Sequence, residues 1–69
     1  MKISYKRLWK LLIDKDMMKK ELAAKARISS ASIAKLRRNE NVNTDILLKI
    51  CCALNCDVSD IMEVILEED

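Results

Sequence analysis

Not one of the 69 residues is glycine or proline. A chain without either residue lacks the usual makers of tight turns, which argues against a turn-rich all-β fold. It also cannot write a phosphate-cradling loop of the Walker or dinucleotide type, because both need glycine where the backbone meets the ligand. Any left-handed position must be filled by a residue with a Cβ, and asparagine is the best of these. Asn39, Asn41 and Asn55 are therefore the candidates for glycine's place at helix ends. Histidine is missing too, which removes the common general base and the commonest metal ligand. With 51% apolar residues the chain has enough to bury, so disorder is excluded. A domain this short buries only ~60% of the surface its unfolded form exposes, so its stability is marginal and a partner subunit would help.

No run of 18 apolar residues is present, so no membrane span is expected. The start, Met1-Lys2-Ile3-Ser4-Tyr5-Lys6-Arg7, is charged but leads into no signal-peptide core. A single soluble, cytoplasmic domain is the expectation. The net charge of +2 conceals a dipole. Residues 1–40 hold twelve Lys and Arg against Asp14, Asp16, Glu21 and Glu40, a net of +8. Residues 41–69 hold Lys49 against seven acids, a net of −6. The basic part suits a polyanion, although lysines also suit any solvated helical face. The acidic part should face away from a polyanion or meet a partner.

Apolar spacing predicts helices throughout and no strand of useful length. Ser4 is a candidate cap for a first helix whose inner face is Tyr5, Leu8, Trp9, Leu12 and Ile13. Asp14-Lys15-Asp16 breaks it. A second helix is expected over 18–26, with Leu22, Ala23 and Ala26 inward and a Glu21–Lys25 pair outside. Ser29 reads as the cap of a third helix, 30–38, anchored by Ile33 and Leu36. Asn43 or Thr44 caps a fourth, with Ile46, Leu47, Ile50, Cys51 and Leu54 inside. Asp57-Val58-Ser59-Asp60 opens a fifth, carrying Val58, Ile61, Met62, Ile65 and Leu66. The acids Glu67-Glu68-Asp69 oppose the dipole at its end, so its last turn should fray.

Residues 19–38 hold the sharpest functional signal. Two short helices joined by about three residues form a helix-turn-helix arrangement. Ala23 is small where the helices approach, and Ile28 plugs the gap between them. Ser30, Ala31, Ala34 and Lys35 are left on the outer side of the second of these helices, toward its N-terminal end. Small and polar residues there would let it enter a DNA major groove, which is about 12 Å wide.

Lys19-Lys20-Glu21-Leu22-Ala23-Ala24-Lys25-Ala26-Arg27-Ile28-Ser29, followed by Ser32-Ile33-Ala34-Lys35-Leu36, resembles the phage-repressor or XRE-type helix-turn-helix family. Thr44-Asp45-Ile46-Leu47-Leu48-Lys49-Ile50-Cys51-Cys52-Ala53-Leu54-Asn55-Cys56 is similar to that family's fourth helix and following turn. The resemblance covers about residues 4–66. It implies an all-α, five-helix bundle of the lambda-repressor-like type with a central helix-turn-helix at about 18–38, binding double-stranded DNA without enzymatic activity. By position, it implies base contacts from Ser30, Ala31, Ala34 and Lys35, with Lys35 suited to guanine and the alanines to thymine methyls. It implies phosphate contacts from Lys19, Lys20, Arg37, Arg38 and Asn39. The chain departs from the family at Arg27, where glycine is usual and a left-handed residue costs roughly 1 kcal/mol. It departs again at Met18, where threonine often caps the second helix.

Cys51, Cys52 and Cys56 lack a fourth ligand, so no closed zinc site is expected within one chain, and their odd number argues against a disulfide framework. Cys51 and Cys56 read as small core residues and Cys52 as nearer the surface. The stripe Ile61, Met62, Ile65 and Leu66 offers a dimerisation surface at about 58–66. A homodimer would set two recognition helices one DNA turn, ~34 Å, apart. The expected function is a sequence-specific DNA-binding transcriptional regulator, a repressor, with no cofactor, metal, membrane partner or small-molecule ligand. The rival reading from another class is a protein-interaction or antitoxin-like module on the same fold.

Overall fold

The computed structural model describes residues 1–66. A short strand β1 (Lys2–Ser4) leads into helices α1 (Lys6–Asp14), α2 (Lys19–Ala26), α3 (Ser30–Arg37) and α4 (Thr44–Leu54). A single 3-10 turn, Val58–Asp60, is followed by strand β2 (Glu63–Ile65). The strands pair antiparallel in the register Lys2↔Ile65, Ile3↔Val64 and Ser4↔Glu63.

All four helices end in one way. The residue after the last turn is left-handed and non-glycine: Asp16, Arg27, Asn39 and Asn55, with φ of 54°, 59°, 56° and 53°. The amide beyond it reaches back five residues, Met17 to Leu12, Ile28 to Ala23, Glu40 to Lys35 and Cys56 to Cys51, at 2.8–3.0 Å. This is the Schellman arrangement, which satisfies carbonyls that a helix end otherwise leaves open. The two residues it joins are apolar at three of the four ends, so each end also closes on the core. Asn39 and Asn55 take the conformation expected of them. Asn41 does not, and Asp16 does so within the polar break after α1.

The core is Tyr5, Leu8 and Leu12, Leu22 and Ala26, Ile28, Ile33 and Leu36, Ile50, Cys51 and Leu54, and Ile61. Each fully buried leucine or isoleucine contributes roughly 1.5–3 kcal/mol of hydrophobic stabilisation. α2 packs on both α3 and α4, and the 3-10 turn packs on α1 and α4. Ile13, expected inside, is 76% exposed, because α1 turns the row Leu8 and Leu12 to the core and Ile13 lies about 100° further round the helix. Ser4 lies in β1 rather than at the helix boundary, but its hydroxyl still accepts the Lys6 amide at 3.2 Å.

The fifth helix is not present among the described residues, so the all-α, five-helix expectation is corrected to four helices and a two-stranded sheet. Asp57 caps only one turn, its carboxylate accepting the Val58 amide at 2.7 Å. Beyond Ile61 the chain extends. Val64 and Ile65 are β-branched and favour strands, and pairing with residues 2–4 satisfies backbone groups of both termini at once. Arg7 secures the crossing, donating to the Ser59 carbonyl at 2.9 Å and pairing with Glu63 at 3.3 Å. The expected fraying at Glu67-Glu68-Asp69 lies outside the described residues.

Burial sorts the cysteines: Cys51 is in the core, Cys56 half-buried and Cys52 exposed. Burial pushes the Cys51 thiol up to about 11, and the neighbouring Cys56, within hydrogen-bonding reach, adds to the effect.

Candidate nucleic-acid interface

Two helix starts build the candidate surface. At α3, the Ser29 hydroxyl accepts the Ser32 amide at 3.1 Å, the expected cap. At α2, Met18 offers no side-chain acceptor, and Glu21 turns back to accept the Met18 amide at 3.3 Å. One oxygen of the carboxylate expected to pair with Lys25 is engaged there, and no Glu21–Lys25 ion pair is present among the described residues. Among the described residues no side-chain hydrogen bond from Met18 caps the start of α2.

Ile33 and Leu36 anchor α3 from beneath, both buried. Ser30, Ala31 and Lys35 are exposed on its outer side and Ala34 is half-exposed. Ala23 lies at the α2–α3 crossing. A groove of about 280 Å³ follows that crossing, lined by Lys19, Lys20, Ala23, Ser30, Ala34 and Arg37 among others. The turn between the helices is closed by Arg27 in the left-handed conformation, ψ 46°, and by buried Ile28.

The basic residues fall into two groups. Lys20, Lys35 and Arg37 are exposed and have no carboxylate partner among the described residues. Two further basic residues, Lys19 and Arg38, and the neutral Asn39 are engaged within the chain. The Lys19 ammonium sits 4.9 Å from the centroid of the Trp9 ring. Arg38 is ion-paired with Glu40. The Asn39 carboxamide oxygen accepts the Tyr5 amide at 3.1 Å, and the Tyr5 hydroxyl donates to the Glu40 carbonyl at 3.2 Å.

On the other flank of α3, Ser32, Lys35, Asn41 and Asn43 line a second hollow of about 220 Å³. Sequence reasoning did not assign Asn41 and Asn43 to this hollow, having read Asn41 as a left-handed helix end and Asn43 as a helix cap. The density of asparagine there was the available signal. Trp9 was also missed, being read as part of the inner face of the first helix.

The proposed dimerisation stripe is divided. Ile61 is fully buried in the chain's own core and cannot face a second copy, because the chain turns inward there before entering β2. Met62 is half-buried, while Ile65 and Leu66 are exposed beside Val64 and Met1. Among the described residues no helix is long and apolar enough to cross a membrane.

The crystal structure of transcriptional regulator VanUg, Form II, is similar at 52% identity and a TM-score of 0.90, over 96% of this chain and 88% of that one. No curated protein matches the chain. The family model for the Cro/C1-type HTH DNA-binding domain matches residues 7–67. Its match begins at Arg7 in α1 and takes in the whole helix-turn-helix and the segment leading into β2. The chain belongs to the Cro/C1-type helix-turn-helix DNA-binding domain family.

Proposed function

We propose that the chain is a sequence-specific regulator of transcription that binds double-stranded DNA and represses by occupying its operator. The observation that carries this reading is the outer side of α3. Small or polar Ser30, Ala31 and Ala34 stand beside unpaired Lys35 over a buried apolar anchor, with Lys19, Lys20 and Arg37 along the adjoining groove. In this reading α3 enters the major groove. Lys35 donates to guanine O6 and N7, Ser30 bonds a base edge, and the alanines meet thymine methyls. Lys19, Lys20 and Arg37 hold phosphates. Arg38 and Asn39 add backbone contacts only secondarily, since each already has a partner inside the chain.

The likeness to a transcriptional regulator supports a regulatory role. A homodimer completes the reading, with Val64, Ile65, Leu66 and Met1 as the apolar surface open to a second copy. Two-fold pairing would present α3 to successive major grooves, about 34 Å apart.

The test is selection from a random duplex DNA pool at near-physiological salt. The expected result is an enriched motif with two half-sites about 10 bp apart. A single half-site would keep the DNA function and remove the dimer. No enrichment, with binding that vanishes as salt rises, would overturn sequence-specific binding in favour of a protein partner. On the selected site, Lys35→Ala should cost about 1–3 kcal/mol and relax preference at particular base pairs. Lys19→Ala should weaken all sequences alike and lower the salt slope by about one.

A further inference from the structure

Lysine is a poor choice for the first residue of a helix. Its ammonium meets the positive end of the helix dipole, and its four-carbon stem must be held still to serve any ligand. Lys19 nevertheless opens α2, and the chain has a device for both problems. The ammonium lies over the face of Trp9, 4.9 Å from the ring centroid, within the range where the negative ring face attracts a cation. Trp9 is itself fixed, half-buried on α1 and packed against the core. One wall of the cleft between α1 and α2 is thus an aromatic plate at the start of α2, with Met17, Met18 and Lys20 around it.

We propose that Trp9 is a positioning residue for DNA binding, holding the Lys19 ammonium at the N-terminus of α2 so that it meets a phosphate already ordered. The proposal rests on the DNA-binding reading above. An ammonium has three N–H donors, and an ammonium over a ring face keeps donors free to turn toward phosphate oxygens. Holding the stem in place before binding removes part of the ordering cost at the moment of binding. Trp9 then acts on affinity without touching DNA. It should not change the number of phosphates neutralised, so the salt slope stays as it is.

A double-mutant cycle on the selected duplex tests this, at a temperature where every variant is folded by circular dichroism. Trp9→Leu should weaken binding about 2- to 5-fold, the range expected of an exposed cation–ring contact, with an unchanged salt slope. In the Lys19→Ala background the same substitution should change affinity by less than about 1.5-fold, because the group it positions has gone. In a Lys20→Ala background the full loss should persist. Trp9→Phe, with a weaker ring face, should fall between wild type and Trp9→Leu. Equal losses from Trp9→Leu with and without Lys19 would overturn the proposal and leave Trp9 as a packing residue of α1. Failure of the wild-type chain to bind any selected duplex is a different outcome, removing the DNA-binding reading and this proposal together.

Discussion

Asn39 is required twice by the structure, and the two requirements separate by mutation. Its φ of 56° is the left-handed position that ends α3, and its carboxamide oxygen accepts the amide of Tyr5, a residue only 1% exposed. Glycine would meet the first requirement and fail the second. Alanine fails both. Removing the oxygen leaves a shielded amide without its partner, a loss of about 1–3 kcal/mol. Forcing alanine into the left-handed region adds about 1 kcal/mol beyond what asparagine already bears. Asn39→Ala should therefore cost about 2–4 kcal/mol. Asn39→Gly should cost about 1–3 kcal/mol, and Asn39→Asp, which keeps an acceptor and tolerates the conformation, less than about 0.5 kcal/mol. For a domain of this size each kcal/mol lowers the melting temperature by about 4–8 °C. Thermal unfolding by circular dichroism should then give the order wild type and Asp, then Gly, then Ala. A glycine variant melting at or above wild type would refute the role of the oxygen. Equal melting of the glycine and alanine variants would refute the cost assigned to the conformation.

Two further outcomes follow from single positions. Arg27 ends α2 at φ 59° with no glycine to relieve it, so Arg27→Gly should stabilise the chain by about 0.5–1 kcal/mol in denaturant unfolding. The Cys51 thiol is raised from 9.0 to about 11, first by burial and then by Cys56, so the folded chain holds this proton more tightly than the unfolded one. That contribution is complete below pH 9 and is lost as the pH rises through about 11. Burial raises the Tyr5 phenol as well, so the two act together. Melting temperatures measured from about pH 8 to 11 should fall, and Cys51→Ala should flatten the lower part of that decline.

What was legible in the sequence was local. The spacing of Leu8 and Leu12, the cap at Ser29 and the anchors Ile33 and Leu36 each act within one or two turns, and a window along the chain sees them. The outer side of α3 was legible for the same reason: it is what remains once the anchors are assigned. The segment after Asp57 was misread because Val58, Ile61, Met62, Ile65 and Leu66 satisfy a helical spacing as well as they satisfy a turn followed by a strand. The deciding partner, Ile3 opposite Val64, stands at the other end of the chain, where no window over that segment reaches.

The contacts that were not legible share a feature that bears on function. Trp9 meets Lys19 where α2 begins, Tyr5 meets Asn39 and Glu40 where α3 ends, and Arg7 and β1 hold the segment from Ser59 to Ile65. Residues 2–9 therefore meet the helix-turn-helix at both its ends and hold the segment 59–65 as well. The motif at 19–37 supplies its own anchors and turn, but at each end it is met by side chains from residues that precede it. Substitution of Trp9 or Tyr5 removes those contacts without altering any residue on the presented surface, which is why these are the positions where stability and DNA affinity should be measured side by side.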